Sequence, residues 1–136
     1  MKVKLIKFEN FYKKPERKHY NDAGADCYVP ERTVIPPHTT VAINLGFGIQ
    51  LPDGFAAYVI PRSGTSRKGI VTQIPPIDSG YTGPIHAITS NLTDKEYVVE
   101  AGDRVGQLVI MPIIAAEFVE TLGEERGDAA FNSTGK

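Results

Sequence analysis

A chain of 136 residues with 41% apolar residues has the length and composition of one domain around one core. Fifteen basic against sixteen acidic side chains leave a net charge of −1, which excludes the broad basic face needed for general nucleic-acid or anionic-membrane binding. The single cysteine, Cys27, excludes an internal disulfide and the common zinc frameworks, and it fits a reducing compartment.

The first segment, Met1 to Phe8, alternates charged and apolar residues, and Val3 to Phe8 reads as a strand. It holds no apolar run long enough for a signal peptide or a membrane span, so the expected location is cytoplasmic, without membrane or nucleic-acid partners. Short β-branched or aromatic runs follow at Thr39–Asn44 and Gly46–Leu51, and Pro52-Asp53-Gly54 supplies a turn into Ala56–Ile60. Ser63 to Lys68 is the one helical candidate, with Ser63 placed to cap it. Strands are then predicted over Ile85–Asn91, Glu96–Val99 and Val105–Pro112, with Ala101-Gly102-Asp103 as the turn before the last. Many short strands without alternating helices indicate an all-β barrel or jelly roll. No repeat or linker interrupts residues 1–125, which form one β domain. Residues 126–136 are rich in Gly, Ala and Ser and read as a mobile arm.

Several segments carry residues suited to chemistry. Pro61-Arg62-Ser63-Gly64-Thr65-Ser66-Arg67-Lys68-Gly69 gathers free amides, hydroxyls and cations where the helix begins, which suits an anionic oxygen. Read alone, it is equally a capped helix start with solvated charges. Asp78 lies in a Pro/Gly/Ser loop and, taken singly, is an ordinary turn former; Tyr81 is an ordinary half-buried aromatic. Gln107 is a polar residue inside an apolar strand, where it needs a partner or an exposed face. Asp26, between Ala25 and Cys27, reads as the end of a turn.

Their order along the chain is more informative. Ala23-Gly24-Ala25-Asp26, the Pro61–Gly69 segment, Ile77-Asp78-Ser79-Gly80-Tyr81-Thr82-Gly83, Gly102-Asp103-Arg104-Val105-Gly106-Gln107-Leu108, and Arg126-Gly127 through Phe131-Asn132-Ser133-Thr134-Gly135 follow one another. The series resembles the five motifs of the trimeric dUTPases and spans nearly the whole chain. That resemblance implies a jelly-roll-like β-barrel with one short helix, assembled as a homotrimer whose active sites are shared between chains. It also implies hydrolysis of dUTP to dUMP and pyrophosphate, which limits dUTP and supplies dUMP for thymidylate synthesis.

Carried over residue by residue, Asp78 is the general base for a water attacking the α-phosphorus. Arg62, Ser63, Gly64 and Gln107 belong to the phosphates. Tyr81 packs beneath the sugar, and the hairpin from Thr72 through Pro76 and Ile77 to His86 reads uracil with main-chain groups. Mg²⁺ travels on the triphosphate, with Asp26 acting on it only through water. Phe131 stacks on uracil, while Arg126, Ser133 and Thr134 grip the γ-phosphate as the arm closes. None of the three histidines is catalytic. The chain departs from the family at Ala129-Ala130 and Asn132, at Pro75-Pro76, and at Gly80. These bear on arm closure and on the geometry of the uracil loop.

Two other functions remain open to the sequence. A dCTP deaminase of related fold needs a glutamate at the position of Ile88, where an aliphatic side chain does no acid–base chemistry. A regulatory module on the same scaffold is the other, with a protein partner that the residues do not name.

Overall fold

A computed structural model describes residues 1–123 of the chain. Four short strands open it: β1 (Lys4–Lys7), β2 (Ala25–Tyr28), β3 (Thr33–Ile35) and β4 (Thr40–Asn44). Then come β5 (Phe47–Gln50), β6 (Phe55–Pro61), the single-turn helix α1 (Ser63–Ser66) and β7 (Ile70–Thr72). The last three strands are β8 (His86–Asn91), β9 (Tyr97–Val99) and β10 (Arg104–Pro112).

Pairing is nested. β2 pairs with β10, β3 with β9 and β4 with β8, all antiparallel, as if one long hairpin had been rolled up. β6 joins the other edge of β10, β7 the other edge of β8, and β1 pairs with β5. This is a jelly-roll arrangement. Among the described residues its ladders form four small sheets instead of one continuous ring. The apolar faces meet in a core that includes Val29, Ile35, Leu45, Phe47, Ile85 and Val99.

Two groups of buried polar residues lock the roll. Asn91, fully buried, donates from Nδ2 to the carbonyls of Ile35 (2.9 Å) and Lys95 (2.8 Å). Its Oδ1 accepts from the amide and hydroxyl of Thr93, so every polar capacity of the side chain is met. Thr72 donates to the carbonyl of Val105 at 2.8 Å and lies 3.1 Å from the Thr89 hydroxyl, which ties β7 and β8 to β10.

The strands expected from the sequence are present, and both anticipated turns place glycine at positive φ, Gly54 at 90° and Gly102 at 90°. Three further strands were not anticipated: β2, β3 and β7. Asp26 is accordingly a strand residue and does not end a turn. The helix is also shorter than expected. Its cap position is Arg62, in extended conformation, and no side chain caps it. Ser63 is already inside the first turn, where its hydroxyl is badly placed to accept from the next amides.

Candidate active site

Gln107 pairs across β10 with Asp26 on one side and Ile60 on the other. Asp26 alternates with buried Ala25 and Cys27, so it faces outward, and Gln107 shares that face. Arg104, three residues before Gln107, would point to the opposite face of a regular strand. A register shift between Arg104 and Gly106 restores it to the same side. The result is a compact charged cluster. Arg104 Nη1 lies 3.2 Å from Asp26 Oδ2, and Arg62 Nε lies 3.7 Å from Asp26 Oδ1. Arg62 also donates to the main-chain carbonyl of Arg104 at 3.1 Å. Gln107 fills the space left by the missing side chain of Gly24, where a Cβ would come within 2.6 Å of its Oε1. Its Nε2 is 3.4 Å from the Pro61 carbonyl.

Beside this cluster lies a polar cleft of about 450 Å³ bordered by Arg62, Gly64, Thr65, Lys68, Asp103 and Arg104. Ser66 and Arg67 donate their amides to the carbonyls of Arg62 and Ser63, while the amides of Ser63 and Gly64 precede the first helical donor and have no backbone partner among the described residues. Both residues are exposed. Three cations and unpaired amides give the cleft the chemistry of an anion site.

Asp78 belongs to a second place. The amide and carbonyl of Ile77, the residue before it, pair with Ala57 on β6 at 2.7 and 3.0 Å, which pins the loop to the sheet. The carbonyl of Asp78 accepts from the Tyr81 amide at 3.0 Å, and Ser79 Oγ donates to Asp53 at 3.2 Å. The Tyr81 hydroxyl donates to the Pro84 carbonyl at 2.6 Å and closes the turn. The returning loop lies so close to β5 that a Cβ on Gly48 would sit 2.5 Å from the Gly83 carbonyl. The Asp78 carboxylate is exposed and has no ion pair or hydrogen bond among the described residues.

These constraints shape a cavity of about 290 Å³. Asp78, Tyr81, His86 and Gln73 supply its polar side chains, and Val59, Pro76, Ile77 and Ile88 are among its apolar walls. Its volume suits a small heterocycle with a sugar.

Of the expected site residues, Asp78, Tyr81, Pro76, Ile77 and His86 therefore meet at one cavity, and Arg62 and Gly64 at the cleft, beside Ser63 and Gln107. Thr72 lines neither: it is buried and its hydroxyl serves the packing of β10. Asp26 faces two arginines. Arg126, Phe131, Ser133 and Thr134 lie outside the described residues. Arg104 and Gln73 are among the residues at these places that had no expected role. Arg104 was legible as a cation in its motif, but the bulge that turns it was not. Gln73 was legible only as a polar residue after a short apolar run.

No group of three or more His, Cys, Asp or Glu side chains among the described residues is disposed to hold a metal ion. Asp26 already faces cations through both oxygens, so direct ligation there is disfavoured, while a carboxylate with spare lone pairs still accepts from a metal-bound water. Cys27 is buried beneath the cluster; burial, with the neighbouring Asp26 charge, pushes its thiol up to about 12. It is an inert core residue. No helix among the described residues is long and apolar enough to cross a membrane.

A rolled β subunit with a carboxylate-edged cavity and a separate cationic cleft is a fold that presents a site for a small anionic ligand. Comparison with known proteins sharpens that class. A family model described as dUTPase matches residues 12–135. A deoxyuridine 5'-triphosphate nucleotidohydrolase of Tropheryma whipplei (strain Twist) is 42% identical over 130 residues, which cover 90% of this chain and 88% of the relative. The corresponding protein of Clostridium tetani is 39% identical, covering 100% and 97%. A variant dUTPase from phage phi11 of S. aureus, described with a structural Mg(II) ion, superposes with a TM-score of 0.81 at 27% identity, covering 92% of this chain and 99% of that one. The chain belongs to the dUTPase family.

Proposed function

We propose that the protein hydrolyses dUTP to dUMP and pyrophosphate by attack of water on the α-phosphorus. The observation that carries this is the Asp78 carboxylate, without a partner among the described residues, at a cavity of nucleoside size and on a loop fixed by the Ile77–Ala57 pairing and the Tyr81–Pro84 hydrogen bond. An unpaired carboxylate held in place is able to orient a water and take its proton. Tyr81 supplies a ring for the deoxyribose to rest on.

The phosphates belong in the cationic cleft. Arg62 and the amides of Ser63 and Gly64 are matched to phosphate oxygens, and Gln107 offers an amide donor beside them. Mg²⁺ carried by the triphosphate would be held through water by Asp26. When bound, it would offset the negative charge gathering on the phosphate oxygens. Residues 126–136 act as a separate closing arm, with Phe131 over the base and Arg126, Ser133 and Thr134 on the γ-phosphate.

Within one chain the cavity and the cleft share no lining residue. A trimer with shared sites supplies the cavity from one chain and the cleft from a neighbour. Ile114, Phe118 and Leu122, exposed by 93%, 95% and 77% after β10, are the apolar surface that such an assembly would cover. Ile88 lines the cavity where deamination requires a glutamate, which favours hydrolysis over deamination. Cytoplasmic dUTP is the proposed substrate pool, and the dUMP formed is available for thymidylate synthesis.

The test is pyrophosphate release with Mg²⁺ from dUTP, dTTP, dCTP and UTP. Strong preference for dUTP is expected; equal turnover of all four would refute the assignment.

A further inference from the structure

The loop that edges the cavity has few main-chain donors left for a base. The Gln73 amide donates to the Ile88 carbonyl at 2.8 Å and the Ile77 amide to Ala57 at 2.7 Å. Pro75 and Pro76, between them, have no N–H at all. Of residues 73–77, only Ile74 retains an amide without a backbone partner. Uracil presents an N3–H donor flanked by two carbonyl acceptors, so a site for it needs both an acceptor and donors. Beyond the amides of Ile74 and Asp78, which have no backbone partner among the described residues, a paired donor and acceptor at this edge has to be a side chain.

Gln73 is the one carboxamide on the cavity among the described residues. Its Nε2 donates to Ser90 Oγ at 3.0 Å, and Ser90 Oγ lies 2.8 Å from Thr40 Oγ1. Ser90 is buried, between the exposed Gln73 and Thr40. A primary amide has two N–H groups and an oxygen with two lone pairs. With one N–H committed to Ser90, Oε1 and the second N–H remain for a ligand, an acceptor and a donor side by side.

If the cavity takes the base of dUTP as proposed above, we infer that Gln73 reads it: Oε1 accepts from uracil N3–H while Nε2–H donates to the adjacent ring carbonyl. Cytosine carries the reverse pattern, an N3 acceptor beside an amino donor. A free carboxamide turned over by 180° would satisfy cytosine equally well. The direction of the second bond is part of the proposal: with the Ser90 hydroxyl hydrogen given to Thr40 Oγ1, only a lone pair of Ser90 faces Gln73, and the amide is kept from turning. Gln73 sets the contact and Ser90 sets its polarity.

The experiment measures kcat/KM for dUTP and the Ki of dCTP as competitor in the wild type, Gln73→Leu and Ser90→Ala. Gln73→Leu is expected to lower kcat/KM for dUTP by ~10- to 100-fold through KM and to compress the dUTP-over-dCTP preference, because the paired edge is lost. Ser90→Ala is expected to tighten dCTP by about tenfold or more and so to narrow the dUTP-over-dCTP preference, because the amide is free to turn. A dUTP-to-dCTP ratio unchanged in both variants, with wild-type hydrolysis of dUTP intact, would overturn the role of Gln73 and leave the proposed activity standing. Absence of dUTP hydrolysis in the wild type would remove both. Thr40→Val supplies a second test of polarity: it frees the Ser90 hydroxyl and should shift dCTP in the same direction as Ser90→Ala, and a dCTP Ki that does not move would contradict the anchor.

Discussion

The carboxylate of Asp26 faces Arg62 from one oxygen and Arg104 from the other, with its own side chain only 17% exposed. Removing that charge leaves two cations close together without a counterion. Asp26→Asn should therefore lower stability by about 1–3 kcal/mol, read as a reduced urea midpoint, and should loosen phosphate binding because Arg62 loses its anchor. An unchanged midpoint would show that solvent screens the cluster. Cys27 makes a second residue-level prediction. Its thiol is held near 12 in the fold but ionises near 9 when the chain unfolds. Between those values the unfolded chain has released a proton that the folded chain keeps, so stability falls as pH rises through that window. Below it the thiol is protonated in both states and contributes no pH dependence. Native protein at pH 8 should react with a thiol reagent only as fast as it unfolds, and stoichiometric labelling within seconds would contradict the burial. At this scale the sequence was most informative about residue type. Asp78 and Gln107 stand out as polar residues in loop and strand, whereas the pairing of Asp26 with two arginines depends on a bulge and on contacts across 78 residues.

Among the elements, β5 and the Asp78 loop are coupled through Gly48. A methyl group there meets the carbonyl of Gly83 at 2.5 Å, which neither backbone can relieve by a side-chain rotation. Gly48→Ala should displace the loop, destabilise the fold by about 1–3 kcal/mol and lower kcat/KM by ~100-fold through misplacement of Asp78. Circular dichroism and steady-state kinetics check the two effects separately, and a variant with wild-type kinetics would contradict the coupling. The elements also show why some strands were illegible. Ala25–Tyr28 contains a carboxylate and follows a glycine, Thr33–Ile35 is three residues flanked by Pro30 and Pro36, and Ile70–Thr72 is three residues following a glycine. Each is too short to display alternation and exists because a distant partner strand completes it. The strands with longer β-branched runs, such as β8 and β10, declared themselves locally. Helix α1 was over-read for the related reason that polar, small residues fit a capped turn as well as a longer helix.

At the level of the whole molecule, the nested pairing of β2 with β10, β3 with β9 and β4 with β8 brings together strands far apart in the chain. Such non-local topology was readable from the sequence only as a class, many short strands and no long helix, and the motif resemblance supplied the rest. The separation of cavity and cleft has a direct consequence if the sites are shared. Asp78→Asn chains and Gln107→Ala chains, each inactive alone, should regain activity when co-assembled, because some sites then combine an intact Asp78 with an intact Gln107 from a neighbour. Failure to regain any activity in a verified mixed trimer would place both groups in a single chain.

The central claim is that Asp78 activates the attacking water on dUTP. The direct measurement is pyrophosphate release by Asp78→Asn beside its binding of α,β-imido-dUTP, since the amide keeps the shape of the side chain and lacks its basicity. Hydrolysis reduced by ~100-fold or more with analogue affinity within about threefold of wild type is expected. Hydrolysis at the wild-type rate would contradict it.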